Sequence, residues 1–242
     1  MATAKYTLKE VKREDKRLVR EFLELPKRIY KNTPEWVCPF DSSIEAVFDP
    51  ANNKLLQDGE AIRWLAYNAE GEYVGRIAAF YDKTHAYSYE RPTGGCGFFE
   101  AIDDQELANF MFDAARDWLK ERGMEAMDGP VNFGSRDAWW GLLVEGYEYQ
   151  PLFENPYHLP YYKALFENYG FKNYFNQNTY VWNVDDDDVA EVVHDRVKRL
   201  MATPGYRFAP IGDEDLYSAV EKFRNIYNKA WALFTGVQPM EV

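Results

Sequence analysis

From Leu107 onward the apolar residues fall at steps of three, one, three, one, three and one: Leu107, Phe110, Met111, Ala114, Ala115, Trp118 and Leu119. That spacing draws one continuous stripe down a helix. Asp103 and Glu106 resemble a capping box at its start, and Gly123 suits its end. Leu18, Phe22, Leu25 and Ile29 predict an earlier helix over 14–31, with Pro26 expected to kink it or stop it early. A shorter helical piece falls at 44–48, and further helices at 159–169, 189–201 and 214–234. Alternating runs predict strands at 5–11, 61–67, 73–81, 93–102, 125–131, 172–184 and 206–211. The second and third of these flank a five-residue loop in which Gly71 supplies a left-handed turn position. Strand, long helix and strand across 93–131 make a βαβ unit, so a parallel pair is expected beside the antiparallel hairpin.

Composition changes this picture little. Hydrophobic residues at 46% and charged residues at 28% describe a globular chain able to bury a large core. The net charge of −12, with no basic stripe, argues against a nucleic-acid partner and against an anionic lipid surface. No run approaches the ~18 apolar residues of a membrane span, and 1–12 carries no apolar leader core. Cys38 and Cys96 stand apart and the three histidines are scattered, so neither a disulfide framework nor a metal site is expected. A cytoplasmic protein is the resulting expectation. Gly94-Gly95-Cys96-Gly97 lacks the Gly-Lys-Ser/Thr ending of a phosphate loop and reads as a tight entry into a strand.

The order of elements, together with Ile62-Arg63-Trp64-Leu65-Ala66-Tyr67, then Gly71, then Val74-Gly75-Arg76-Ile77-Ala78, resembles the central hairpin of the GNAT acyltransferase superfamily. The stretch from Tyr161 to the Gly170-Phe171 pair resembles that superfamily's late helix. Gly-Phe-Phe-Glu at 97–100, Met-Asp-Gly-Pro at 127–130, Gly-Leu-Leu-Val-Glu-Gly at 141–146 and the Asn-Pro…Pro-Tyr-Tyr words of 155–162 are similar to a group of uncharacterised bacterial GNAT-like proteins. The resemblance implies an α/β (α+β) GNAT-like fold, a mixed central sheet flanked by helices, over 1–184. It further implies a linker helix over 185–205 and, over 206–242, a strand-helix extension that opens an incomplete second domain.

The resemblance also implies an acyl-CoA-dependent N-acyltransferase, with acetyl-CoA or another acyl-CoA as co-substrate and a small amine or amino-acid-like acceptor. The pyrophosphate would dock on main-chain donors at Ile102, Gln105 and Ala108, where the helix start carries about +0.5 of a charge. Asp103, Asp104 and Glu106 crowd that turn and oppose an anion. Glu100 is a candidate base, or a strand-end glutamate held by a loop amide. The superfamily's usual acid position holds Phe166, which has no proton to give. Tyr162, one turn earlier, is the substitute acid, or a packing residue with a polar tip.

The most site-like stretch is 132–140, which follows the end of a parallel strand. Asn132, Ser135, Arg136, Asp137, Trp139, Trp140 and, later in the chain, Tyr161 are the candidate substrate contacts; the other reading is a structural loop covering the sheet. Asp185 to Asp188 read as the solvated start of a helix, not as a metal site. Leu216, Val220, Phe223 and Tyr227 share one helix face that needs a partner, which self-association would supply. The alternative to an enzyme is a catalytically inactive member of the fold that binds a small molecule or a protein.

Overall fold

The computed structural model describes residues 5–134, 138–183, 189–206, 210–231 and 239–240. The chain divides into two compact units, 1–177 and 178–242.

The first unit is built on a five-stranded sheet in the order β1-β2-β3-β4-β5. The strands are β1 (Tyr6–Glu10), β2 (Gly59–Asn68), β3 (Tyr73–Asp82), β4 (Thr93–Ala101) and β5 (Ala126–Asp128). The first four run antiparallel to their neighbours, and β5 lies parallel to β4. Gly71, at φ 81, closes the β2–β3 hairpin as its sequence position predicts.

Two helices, α1 (Lys16–Ile29) and α2 (Asp41–Val47), cover one face of the sheet, and α3 (Lys83–Ala86) follows β3. On the other face lie α4 (Gln105–Glu121) and α5 (Tyr161–Tyr169). Strand alternation sorts the core. Leu65, Tyr67, Ala78 and Phe80 pack with Leu18, Phe22 and Ile44 of the first helix pair. Trp64, Ala66, Ile77 and Ala79 pack with Leu107, Met111, Phe112 and Phe166 of the second.

Three local expectations are corrected. Pro26 does not stop α1; it sits in the last turn, where the helix continues to Ile29 and Tyr30 donates its N–H to the Pro26 carbonyl at 2.8 Å. The cap of α4 is Asp104 and not Asp103: its carboxylate accepts the Leu107 N–H at 3.0 Å. The run 172–183 forms no strand, and Tyr174, Tyr180 and Trp182 stand exposed. A run of β-formers becomes a strand only where an edge is available to pair with.

The second unit contains α6 (Glu191–Ala202) and α7 (Leu216–Trp231). The strand expected at 206–211 falls largely on 207–209, outside the described residues, and Ile211–Asp213 is a 3-10 turn. Residues 185–188 likewise lie outside the described residues. Leu216, Val220 and Phe223 are exposed on α7, and Tyr227 is half-buried.

One irregularity positions the site. Arg76 pairs with Glu100 and Ala78 with Gly97, so Phe98 and Phe99 together oppose Ile77 alone. This is a β-bulge, with Phe98 at φ 48. An extra residue flips everything beyond it to the other face. Without it Phe99 would stand across from Arg76; with it Glu100 does.

Gly97 lets the chain approach at that point, because a Cβ there would lie 1.9 Å from the Val131 carbonyl oxygen. Gly97→Ala is therefore expected to lower stability by about 3 kcal/mol, read from urea unfolding, whereas Gly71→Ala, in open space, should lose less.

Candidate active site

Glu100 is buried near the C-terminal end of β4, only 9% exposed. Its Oε2 accepts two hydroxyls: Tyr162 of α5 at 2.7 Å and Tyr30, the C-cap of α1, at 2.9 Å. Its Oε1 lies 3.6 Å from the Arg76 guanidinium. Burial pushes the carboxyl above its usual range, while Arg76 and the two hydroxyls pull it back. Both tyrosines are pushed well above the ordinary phenol range, first by burial and next by the Glu100 charge.

The sequence accounts for how Arg76 is held. Proline has no N–H, so Pro26 cannot bond the carbonyl four residues earlier. That carbonyl belongs to Phe22, and Arg76 Nη1 donates to it at 2.7 Å. The guanidinium also lies over the Phe22 ring, 4.7 Å from its centre. Arg76 Nε is buried without a hydrogen-bond partner among the described residues. A helix-breaking residue thus supplies the acceptor that fixes a buried cation beside a buried carboxylate.

Tyr162 is fully buried, and its hydroxyl accepts the Ala101 N–H at 3.2 Å while donating to Glu100. Tyr161 donates to the Ala101 carbonyl at 2.6 Å. These two hydroxyls close the outer edge of β4 at Ala101. At the other end, β5 pairs with β4 only from Thr93 to Gly95, and Val131 donates to the Cys96 carbonyl at 2.9 Å. Between them Phe98, Phe99 and Glu100 line a cavity of about 70 Å³. Trp36, Cys38, Asp41, Arg76, Trp139 and His158 complete much of its wall.

The structure brings together the two residues proposed from sequence for proton transfer, Glu100 and Tyr162. It adds three that sequence reasoning missed: Tyr30, Arg76 and His158. Nothing in their local pattern marks them. They converge because the bulge aims Glu100 at Arg76, and because α1 ends where Tyr30 can reach it.

His158 is buried, and burial lowers its imidazole to about 4. Its Nδ1 accepts the Leu143 N–H at 3.1 Å, so the neutral ring carries its proton on Nε2.

Of the other candidate substrate contacts, Trp139 lines the cavity at φ 45, with its N–H on the Glu154 carbonyl. Asn132 is buried, and its Oδ1 has no partner among the described residues. Trp140 packs half-buried against the cluster on the α1 side of the sheet. Ser135, Arg136 and Asp137 lie outside the described residues. Phe166, at the superfamily's acid position, is buried against Phe112.

At the expected pyrophosphate contacts the main-chain N–H groups of Ile102 and Ala108 and the side chain of Gln105 have partners within the protein. Ile102 donates its N–H to the Val74 carbonyl, and fully buried Ala108 donates to the Asp104 carbonyl. The Gln105 side chain is occupied by Asn109, Leu165 and Asn168. Asp104 caps the turn and is itself held by Lys5 at 3.0 Å and the Tyr6 hydroxyl at 2.9 Å. Only the first-turn amides of Gln105 and Glu106 remain for an anion, next to two carboxylates that share Lys5. As capped, this turn does not fit a pyrophosphate.

Among the described residues there is no cluster of His, Cys, Asp and Glu that could hold a metal, and no helix long and apolar enough to cross a membrane.

Two stability predictions follow from the buried groups. His158 is depressed on folding, so its contribution is present above pH 6.5 and disappears as pH falls toward 4. It is expected to cost the wild type about 3 kcal/mol over that window, and His158→Asn, which keeps an acceptor near Nδ1, should flatten this part of the loss in urea titrations.

Glu100 is raised on folding, so its penalty grows as pH rises through its folded value. Arg76→Met removes the balancing charge and is expected to cost about 3 kcal/mol at pH 8 and distinctly less at pH 4, where the carboxyl holds a proton. An equal loss at both pH values would show that Arg76 does not bear on the charge of Glu100.

No family model matches the chain. It is 32% identical over 158 residues to Protein YghO of Escherichia coli (strain K12), covering 63% of this chain and 38% of that protein. It is 28% identical over 223 residues to the bacterial ceramide synthase of Caulobacter vibrioides, covering 91% of this chain and 57% of that protein. The chain therefore spans well under two thirds of the length of these curated relatives. Solved structures aligned with it include glucosamine-6-phosphate N-acetyltransferase from Arabidopsis thaliana, at 13% identity and a TM-score of 0.42, covering 74% of this chain and 99% of that one. Spermidine N-acetyltransferase from Vibrio cholerae, in complex with CoA and spermine, aligns at 14% identity and a TM-score of 0.31, covering 48% of this chain and 64% of that one. Four antiparallel strands, a bulged β4 beside a parallel β5, and helices on both faces give the chain a mixed α/β sheet fold, the architecture that its resemblance to GNAT-like proteins implies.

Proposed function

We propose that this chain carries an N-acyltransferase site in which Glu100 accepts the proton that a primary amine loses as it attacks an acyl thioester. The observation that supports this most is the buried Glu100 carboxylate itself, with Oε2 committed to Tyr30 and Tyr162 while Oε1 has only the long Arg76 contact. An amine, or a water bridging to it, would meet Oε1 from the cavity that Glu100 lines.

The acyl carbonyl would lie along the β4 edge between Cys96 and Ala101, where main-chain amides can steady a developing oxyanion. Burial raises Glu100 and so narrows the gap between its basicity and that of an amine. Arg76 pulls it back toward the ordinary carboxyl range. Tyr162 is the proposed acid: its hydroxyl proton would go to the departing thiolate while Glu100 returns to it, through their hydrogen bond, the proton taken from the amine, so both groups end as they began.

The relative named ceramide synthase makes an N-acylated amine by its name, and the same class of bond is proposed here. The cavity would take the amine end of an acceptor, since about 70 Å³ holds a small headgroup and not a long chain. With the α4 turn a poor fit to a pyrophosphate, recognition of the donor at its acyl end is part of this proposal, as is the carrier, CoA or another thiol. Two copies pairing through the exposed face of α7, and 206–242 as the opening of a second domain, are separate proposals.

Glu100→Gln is expected to lower turnover of an amine with acyl thioesters by about 10²–10⁴-fold while leaving thioester binding, read by thermal shift, within a few-fold of wild type. Wild-type turnover should rise with pH through a single ionisation above the usual carboxyl value. Failure of a panel of acyl-CoAs and acyl-carrier thioesters both to raise the unfolding temperature and to react would remove the enzyme reading.

A further inference from the structure

The Tyr30 hydroxyl has one proton and two acceptors within reach. It lies 2.9 Å from Glu100 Oε2 and 3.1 Å from the Tyr157 main-chain carbonyl. A carbonyl can only accept, so Tyr30 cannot satisfy both at once while Glu100 is ionised. The ring itself is pinned: it stacks on Trp36 at 5.0 Å and 10°, and Tyr157 meets it edge-on at 6.1 Å and 78°. Only the O–H bond is left to turn. Tyr162 is anchored differently: its oxygen accepts the Ala101 N–H and its proton goes to Glu100.

We infer that the Tyr30 hydroxyl is a two-position switch that turns from Glu100 to the Tyr157 carbonyl when Glu100 takes up a proton. This rests on the reading of Glu100 as a proton acceptor. With Glu100 ionised, Tyr30 and Tyr162 both donate to Oε2. Beside Oε1 the described residues offer only the Arg76 guanidinium, which has no acceptor, so within the protein a new carboxyl proton finds its acceptor on the Oε2 side. Rotation of the carboxyl group puts a protonated Oε1 in the Oε2 position. There the new O–H donates to the Tyr30 oxygen, and Tyr30 donates to the Tyr157 carbonyl. No bond to Tyr30 breaks, and every proton in the cluster has an acceptor in both states.

The charged and titratable groups facing the carboxyl are Arg76 from β3, Tyr30 from the end of α1, and Tyr161 and Tyr162 from α5, with neutral His158 against the Tyr162 ring at 5.5 Å. Within that set Tyr30 has the free choice of acceptor. It is a positioning residue: it stores the protonation state of Glu100 in the orientation of one hydroxyl and passes it to the loop that carries Tyr157, a wall of the cavity.

Isotope-edited infrared titration of the full chain tests the switch without needing turnover. Labelled glutamate reports the Glu100 carboxyl, assigned by its loss in Glu100→Gln. Ring-labelled tyrosine reports the Tyr30 C–O stretch, assigned by its loss in Tyr30→Phe. The expected result is one shared midpoint: the Tyr30 band shifts from that of a donor only to that of a hydroxyl that donates and accepts, as the carboxyl protonates. In Glu100→Gln the Tyr30 band should not move with pH.

Should Tyr30→Phe not fold, 3-fluorotyrosine at position 30 keeps ring and hydroxyl, marks the band, and, as a stronger donor and weaker acceptor, should lower the shared midpoint. A Tyr30 band that stays put while Glu100 titrates overturns the switch. Coupled bands with no turnover on any thioester uphold the switch and remove the base reading, whereas turnover with uncoupled bands does the reverse.

Discussion

A carboxylate removed from water must be surrounded by donors or it ceases to be a carboxylate. Glu100 is held to that condition, and the first unit is arranged around it. Two hydroxyls and a guanidinium reach it from three different elements, α1, α5 and β3. Each of those groups is itself buried: Arg76 also holds the Phe22 carbonyl, Tyr162 also accepts the Ala101 N–H, and Tyr30 has the Tyr157 carbonyl within reach as an alternative acceptor. Disturbing one partner exposes the others to the cost of an unmet buried charge.

The same cluster explains irregularities that would otherwise be defects. A proline within a helix, a strand bulge with a phenylalanine at positive φ, and a glycine pressed against a neighbouring carbonyl all lie within this network. Local rules are broken where the break places a functional group, the pattern expected of sites in general. The bulge decides which side chain faces Arg76, and the proline decides what holds Arg76 there.

Much of the architecture was legible beforehand. The α4 stripe, the β2–β3 hairpin around Gly71, the βαβ crossover and the end of α5 at Gly170 follow from periodicities and turn chemistry that act over a few residues. Residues 172–183 of the expected 172–184 strand form none, since alternation states a readiness to pair and the pairing itself is decided by distant segments. Of the site, Glu100 and Tyr162 could be named from sequence, through a strand-end word and a helical offset. Tyr30 and Arg76 could not, since they lie 70 and 24 positions from Glu100 in the chain and no pattern in sequence ties either of them to it. The pyrophosphate turn was correctly flagged as acidic, yet only the hydrogen bonds revealed that Asp104 fills it as a cap.

What the sequence settled alone was the five strands and the four longer helices of the first unit and their order, because hydrophobic period, caps and glycines act locally and add up. The encounter of one carboxylate with two phenols and a guanidinium depended on strand register, on a single inserted residue and on the point where a helix ends. Those are properties of packing between distant segments: without the inserted residue Phe99 would stand where Glu100 does, and a different end to α1 would move Tyr30.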